Sequence, residues 1–177
     1  VLVQRAGDVI PEIVKVIVSQ RKGDETKFSM PSECPVCGTD AVRLEGEAAT
    51  RCINTACLAQ VKERIRHFAA KGAFDIEGLG EKLVEQLVDK DMLASYADIF
   101  NLDQQTVAGL DRMAEKSAQN LITAINASKK IRFSRFLYAL GIRHVGEHVA
   151  HLLAENFESI ADLVECPPEI LEGIEGI

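Results

Sequence analysis

Ile76-Glu77-Gly78-Leu79-Gly80-Glu81-Lys82 runs apolar residue, two turn positions, apolar residue, small residue, Glu, cation. The pattern returns as Leu110-Asp111-Arg112-Met113-Ala114-Glu115-Lys116 and as Ile142-Arg143-His144-Val145-Gly146-Glu147-His148. Ile174-Glu175-Gly176-Ile177 begins it again. The small residues Gly80, Ala114 and Gly146 stand 34 and 32 positions apart, the period of a repeated supersecondary unit. The segment after each copy is amphipathic. Leu83, Val84, Leu87 and Val88 give Glu81 to Asp89 one apolar helical face, and Lys116 to Ala127 and Glu147 to Glu155 repeat it. Each copy therefore predicts a helix, a tight hairpin and a second helix, and residues 61–177 read as an all-helical domain.

The two glycines of the apolar-Gly-apolar-Gly hairpin, Gly78 and Gly80 in the first copy, are expected to take φ > 0 and to leave no Cβ in the way. Backbone amides of the hairpin and of the next helix's first turn then point outward together, at the positive end of a helix dipole. A DNA phosphate fits such a nest whatever the base. The candidate contacts are Gly78, Leu79, Gly80 and Lys82 in the first copy. In the second they are Arg112, Ala114 and Lys116, and in the third Arg143, His144, Gly146 and His148. The first copy, with both glycines and the lysine, is expected to be the cleanest site. The second either reaches the DNA backbone by side chain or only props up the bundle. Arg132 to Gly141 interleaves cations with aromatics, and at helical spacing Phe133, Phe136, Leu137 and Leu140 read as a core stripe. Lys62, Arg64, Arg66 and Lys71 are either a solvated face or a phosphate-facing one.

Upstream of the repeats, Cys34-Pro-Val-Cys37 is followed, after fourteen intervening residues, by Cys52 and then Cys57. Two close thiol pairs about a dozen residues apart can set four sulfurs at the corners of a tetrahedron around zinc. An all-thiolate set leaves no open position, so the metal is structural. Residues 33–60 are too few for a core of their own and fold because the metal binds. Disulfides are the competing reading. Cys166 has no evident partner. His144, His148 and His151 share one helical face but lack an acidic or Cys companion at matching spacing.

Residues 1–18 read as two strands around an Ala6-Gly7-Asp8 turn, with Ile13 to Val18 rich in β-branched residues. Two strands do not make a domain, so they look like the end of a β-barrel. Residues 19–32 are a polar linker with Gly23 and Pro31. The fold class is thus mainly α: remnant strands, a small four-cysteine module, then helices. Starting inside a strand and stopping inside a repeat, the sequence reads as a fragment of a longer protein. Val1 onward has no signal-peptide pattern, and no apolar run approaches the ~18 residues of a membrane span. Net charge is -7, unevenly placed: residues 1–71 hold 11 Lys/Arg against 9 Asp/Glu, and residues 72–177 hold 9 against 18. DNA contacts in the second part must come from local geometry and a few cations rather than a general field.

Several stretches together resemble the bacterial NAD-dependent DNA ligase family across essentially the whole chain. They are Arg5-Ala-Gly-Asp-Val-Ile-Pro-Glu-Ile13, the four-cysteine module, Arg66-His-Phe68, Asp75-Ile-Glu-Gly-Leu-Gly80, Lys116-Ser-Ala-Gln-Asn120 and Arg135-Phe-Leu-Tyr-Ala-Leu-Gly-Ile142. The resemblance implies an oligonucleotide-binding (OB) barrel ending in residues 1–18, a zinc finger at Cys34, Cys37, Cys52 and Cys57, and helix-hairpin-helix motifs, the fourth truncated. They would hold both flanks of a nick in double-stranded DNA from the minor-groove side. It further implies a cytoplasmic, nucleoid-associated protein acting as a monomer, in replication and repair. The family's nucleophile lies in Lys-x-Asp-Gly, which does not occur in these 177 residues. No catalytic residue is therefore expected here, and NAD and Mg2+ would bind elsewhere in a longer protein. The competing readings are a helix-hairpin-helix segment of a repair nuclease or glycosylase, and a zinc-scaffolded protein-interaction module.

Overall fold

The computed structural model describes residues 1–7 and 9–177. Contacts divide them into two compact units, Val1–Ser32 and Glu33–Ile177. In the first, β1 (Leu2–Ala6) pairs antiparallel with β2 (Ile10–Lys15), Arg5 facing Pro11 and Val3 facing Ile13. β2 thus starts and ends three residues earlier than the β-branched run suggests. Pairing across the turn sets the strand limits, and Pro11 is tolerated because this ribbon has free edges. Gly7 enters the turn with φ +62; Asp8 lies outside the described residues. Every strand side chain is exposed, Val3 by 52% and Ile13 by 63%. Residues 21–32 contain no helix or strand.

The second unit opens with a two-stranded ribbon, β3 (Ala41–Arg43) and β4 (Thr50–Cys52), and continues as nine helices among the described residues. α1 (Leu58–Ala69) begins three residues before the expected boundary, with Cys57 as its N-cap. The metal module therefore runs into the helical domain without a joint. Nothing between Cys57 and Val61 breaks a helix, and Val61, Ile65 and Phe68 already recur at core-facing spacing. α2 (Glu81–Asp89), α5 (Glu115–Ser128), α6 (Phe133–Ala139) and α7 (Glu147–Asn156) match the amphipathic segments to within a residue or two.

Four short helices escaped the periodicity argument: α3 (Tyr96–Ile99), α4 (Gln104–Ala108), α8 (Ile160–Glu165) and α9 (Pro168–Glu172). At four to six residues they are too short to show a period. Their start signals are local instead. Asp103 accepts from the Thr106 amide, Ser159 from the Asp162 amide, Ser95 forms a capping box with Asp98, and Pro168 opens α9.

The main core joins α1 to α5 through Ile65, Leu87, Leu93, Ile99, Leu121 and Ile125. Phe68 stacks between Phe74 (ring centroids 4.0 Å) and Tyr96 (4.7 Å). A smaller core gathers Leu137, Ala150 and Leu153 of α6 and α7, with Phe157, Leu163 and Leu171 packed on it. Phe136 and Tyr138 pack against both cores, so α6 links them. This agrees with the core reading of the 132–141 stretch. Three helix pairs, α1/α2, α4/α5 and α6/α7, each enclose one hairpin.

Leu121 is 1% exposed and lies 3.7 Å from where a Cβ on Gly78 would stand. Leu121→Ala should cost about 2–5 kcal/mol in urea unfolding followed by helical circular dichroism. A loss below about 1 kcal/mol would mean that the first hairpin is not seated on this core.

Candidate nucleic-acid interface and metal centre

The four repeats converge on one backbone shape. At their third position Gly78, Arg112, His144 and Gly176 all have positive φ, at 91, 61, 66 and 98°. In each, the next residue's amide closes a turn onto the first apolar residue's carbonyl: Leu79 to Ile76 (3.2 Å), Met113 to Leu110 (3.2 Å), Val145 to Ile142 (3.0 Å), Ile177 to Ile174 (3.1 Å). Buried apolar residues anchor the first hairpin from below, Ile76 at 3% and Leu79 at 5% exposure. The left-handed position is supplied by glycine twice and by a side-chain-bearing residue twice. The Arg-for-Gly change in the second copy alters chemistry but not turn geometry.

The fifth position corrects an expectation. Gly80 has φ -85 and Gly146 φ -80, the same region as Ala114 at -81. Only the first turn glycine uses φ > 0. Gly80 and Gly146 matter for another reason: a Cβ built on either meets no atom within 4 Å. Their outer face is open space.

Each of these residues is the N-cap of the following helix, and none has a side-chain cap. In contrast, α4 and α8 are capped by Asp103 and Ser159. Among the described residues, no acceptor takes the amides of Gly80, Glu81 and Lys82, nor those of Ala114, Glu115 and Lys116, nor those of Gly146, Glu147 and His148. Three clusters of outward amides with exposed lysine or histidine beside them can hold three anions. Lys82, Arg112, Lys116, His144 and His148 are all exposed.

Two expected contacts are placed otherwise. Leu79 is buried and its amide is committed to Ile76, so it pins the turn and offers a ligand nothing. Arg143 is ion-paired with Glu47 of the four-cysteine module. Three cations of the basic stretch after that module are also engaged. Lys62 pairs with Asp89 at 2.6 Å, and Arg66 with Glu63 at 2.6 Å and Glu81 at 3.4 Å. Arg64 donates to the Thr55 carbonyl. His67 is held at 2.8 Å by the Tyr138 carbonyl.

The four sulfurs of Cys34, Cys37, Cys52 and Cys57 lie within 4.8 Å of one another. Cys34 and Cys57 are 3.9 Å apart, Cys37 and Cys52 3.6 Å. Sulfurs bound to zinc at about 2.3 Å define a tetrahedron with edges of about 3.8 Å. The donor set and its spacing therefore fit Zn2+. The knuckle is shaped by Gly38, φ +70, whose amide donates to the Cys34 carbonyl at 2.9 Å. Thr39 and Asn54, which the cysteine spacing does not reveal, tune the sulfurs. Hydrogen bonds from the Thr39 hydroxyl and amide hold the Cys37 thiol down at about 6. The Asn54 amide also favours a Cys52 thiolate, but burial and the neighbouring Cys37 and Cys34 sulfurs push Cys52 up to about 12. Neighbouring thiolates repel until a dication offsets them, and zinc supplies that charge.

Comparison with known proteins agrees with both features. The family model for the NAD-dependent DNA ligase C4 zinc finger domain matches residues 33–59. A SAM-like helix-hairpin-helix tandem matches residues 73–127, and a helix-hairpin-helix motif matches residues 135–177. A protein named DNA ligase from Desulfosudis oleivorans is 65% identical over 93% of this chain and 24% of its own length. Those from Desulforapulum autotrophicum and Bacillus subtilis are 51% and 46% identical over 100% of the chain and 26% of theirs. The chain thus spans about a quarter of the length of these curated relatives.

Protein purified under reducing conditions should carry one zinc ion per chain. Structural zinc contributes on the order of 10–16 kcal/mol in small peptides. Cys52→Ser should therefore release the metal and unfold residues 33–60, and Cys57→Ser should also fray the start of α1. Metal analysis that finds no zinc, with the thiols oxidised in pairs, would refute the assignment.

Proposed function

The chain belongs to the NAD-dependent DNA ligase family, and from that premise we propose that it is the part of such an enzyme that grips duplex DNA around a nick. The observation that carries this is the threefold set of unpartnered amides above identically shaped hairpins. Each set donates hydrogen bonds to non-bridging oxygens of a backbone phosphate, at the positive end of α2, α5 or α7. Gly80, Ala114 and Gly146 keep the approach clear. Lys82, Lys116 and His148 add charge beside the phosphate, and Arg112 and His144 reach outward from the turn itself. Donors of this kind read no bases, as sealing of nicks in any sequence requires.

Each segment has its own task in this reading. Residues 1–18 are the closing strands of an OB barrel, whose other strands would cover the exposed Val3 and Ile13. Residues 19–32 link it to the zinc finger of residues 33–60, and residues 61–177 are the DNA-gripping domain. The whole protein joins the 3′-hydroxyl and 5′-phosphate of the nick through an adenylylated lysine. NAD and Mg2+ act in a domain outside these residues, and the protein works as a cytoplasmic monomer.

Gly80→Val meets neither steric conflict nor left-handed strain in the fold. It should therefore leave circular dichroism unchanged while weakening duplex binding for every sequence. Lys82→Ala should lower affinity uniformly and reduce the salt slope by about one unit or less. If Gly80→Val binds as well as the parent, the hairpin is only a turn between packed helices. With labelled NAD the chain by itself should form no covalent AMP adduct, and a labelled band on a denaturing gel would reveal a nucleophile in these residues.

A further inference from the structure

Three guanidiniums meet at one glutamate. Glu47 sits in the turn between β3 and β4, its amide donating to the Leu44 carbonyl at 3.1 Å. Arg51 donates its Nε to Oε2 of Glu47 at 3.2 Å, and Arg143 of the third hairpin pairs with Oε1. Arg43 donates its Nε to the Glu47 backbone carbonyl at 2.7 Å. The Glu47 side chain is 20% exposed, while Arg51 and Arg143 keep 57% and 48%. The carboxylate is the covered part of the cluster and the guanidiniums are the open part.

Both carboxylate oxygens are taken, but each arginine has five N–H donors in a planar fork. With Arg51 and Arg143 about half exposed, donors beyond those on Glu47 are within reach of solvent. Counting Glu45 in the same turn, three guanidiniums stand against two carboxylates, a local positive balance in a chain of net charge -7. Glu47 offsets part of the Coulomb cost of gathering these like charges, and a further anion beside the open guanidiniums would offset the rest. Arginine forks suit phosphate oxygens, which accept two parallel hydrogen bonds.

We propose that Arg43, Arg51 and Arg143 form a phosphate-binding patch, shared by the zinc module and the third hairpin, that takes a backbone phosphodiester of duplex DNA. The patch rests on the DNA-binding reading above and adds contacts beyond the hairpin amides. It gives the metal a role in binding: zinc fixes β3 and β4 so that Arg43 and Arg51 stand beside Arg143. Glu47 is the positioning residue that holds the three forks together.

The test is duplex binding by the 177-residue chain, read as fluorescence anisotropy over a range of salt concentrations. Arg43→Gln with Arg51→Gln should lower the slope of log K against log salt by about 0.9 for each phosphate no longer neutralised, with zinc content and helical signal unchanged. Arg51→Lys keeps the charge and should keep the parent's slope. A double variant that holds its zinc and retains the parent's slope and affinity, while Gly80→Val still weakens binding, overturns the patch and leaves the hairpin reading standing. A parent chain that binds no duplex at low salt overturns both. If the double variant loses zinc, Arg43→Gln alone carries the same test, because its exposed side chain reaches only the Glu47 carbonyl in the turn.

Discussion

Cys57 does two jobs at one position. Its sulfur is the fourth corner of the metal cluster, and its backbone is the N-cap of α1, with the Val61 amide donating to its carbonyl at 2.9 Å. At 1% exposure it is as buried as the core of the helical domain. Because α1 carries Val61, Ile65 and Phe68 into that core, the zinc module and the helices are one object. The metal supplies the order that a segment of this size cannot obtain from apolar burial. α2 and α6 both pack directly against α1. The aromatic group around Phe68 positions the loop into the first hairpin, where the Phe74 amide donates to the Phe68 carbonyl at 3.0 Å.

The hairpins show how one backbone shape survives a change of residue. Glycine occupies the left-handed position in two copies, where it costs no steric strain. Arg112 and His144 occupy it in the other two, at roughly 1–2 kcal/mol each for the Cβ clash. The buried first apolar residue and the turn hydrogen bond hold the conformation in the first two copies, and the same hydrogen bond recurs in the others. At Leu110, 6% exposed, the core grips the second copy as it grips Ile76 in the first. Backbone shape is thus set from beneath by packing, which leaves the outward side chain free to vary.

Charge explains how a chain of net -7 can suit a polyanion. Its acids are distributed, whereas its donors are concentrated. Amides at three helix starts need no net charge to attract phosphate. Several cations are neutralised within the fold, as Lys62 is by Asp89. The positive balance that remains lies beside hairpins and around Glu47, where it acts at short range and is little diluted by distant acids.

The sequence by itself determined the four-sulfur site, the repeat and its helices, and through the Gly80, Ala114 and Gly146 period the places where amides gather. These are properties of spacing: two thiol pairs and a recurring apolar face are visible along a line. The short helices were written in local cap signals, Ser95 with Asp98 and Ser159 with Asp162, which periodicity overlooks in segments of one turn. Only the tertiary structure decided which groups are spoken for. Leu79 is withdrawn by burial, and Arg143 is drawn to a glutamate 96 positions earlier in the chain, beside two other arginines. That α1 starts at the last cysteine of the cluster, and that Arg112 takes a glycine's conformation, were settled by cores built from distant segments. Spacing along a chain fixes which groups can act together; their availability depends on long-range packing and ion pairing, which no local pattern encodes.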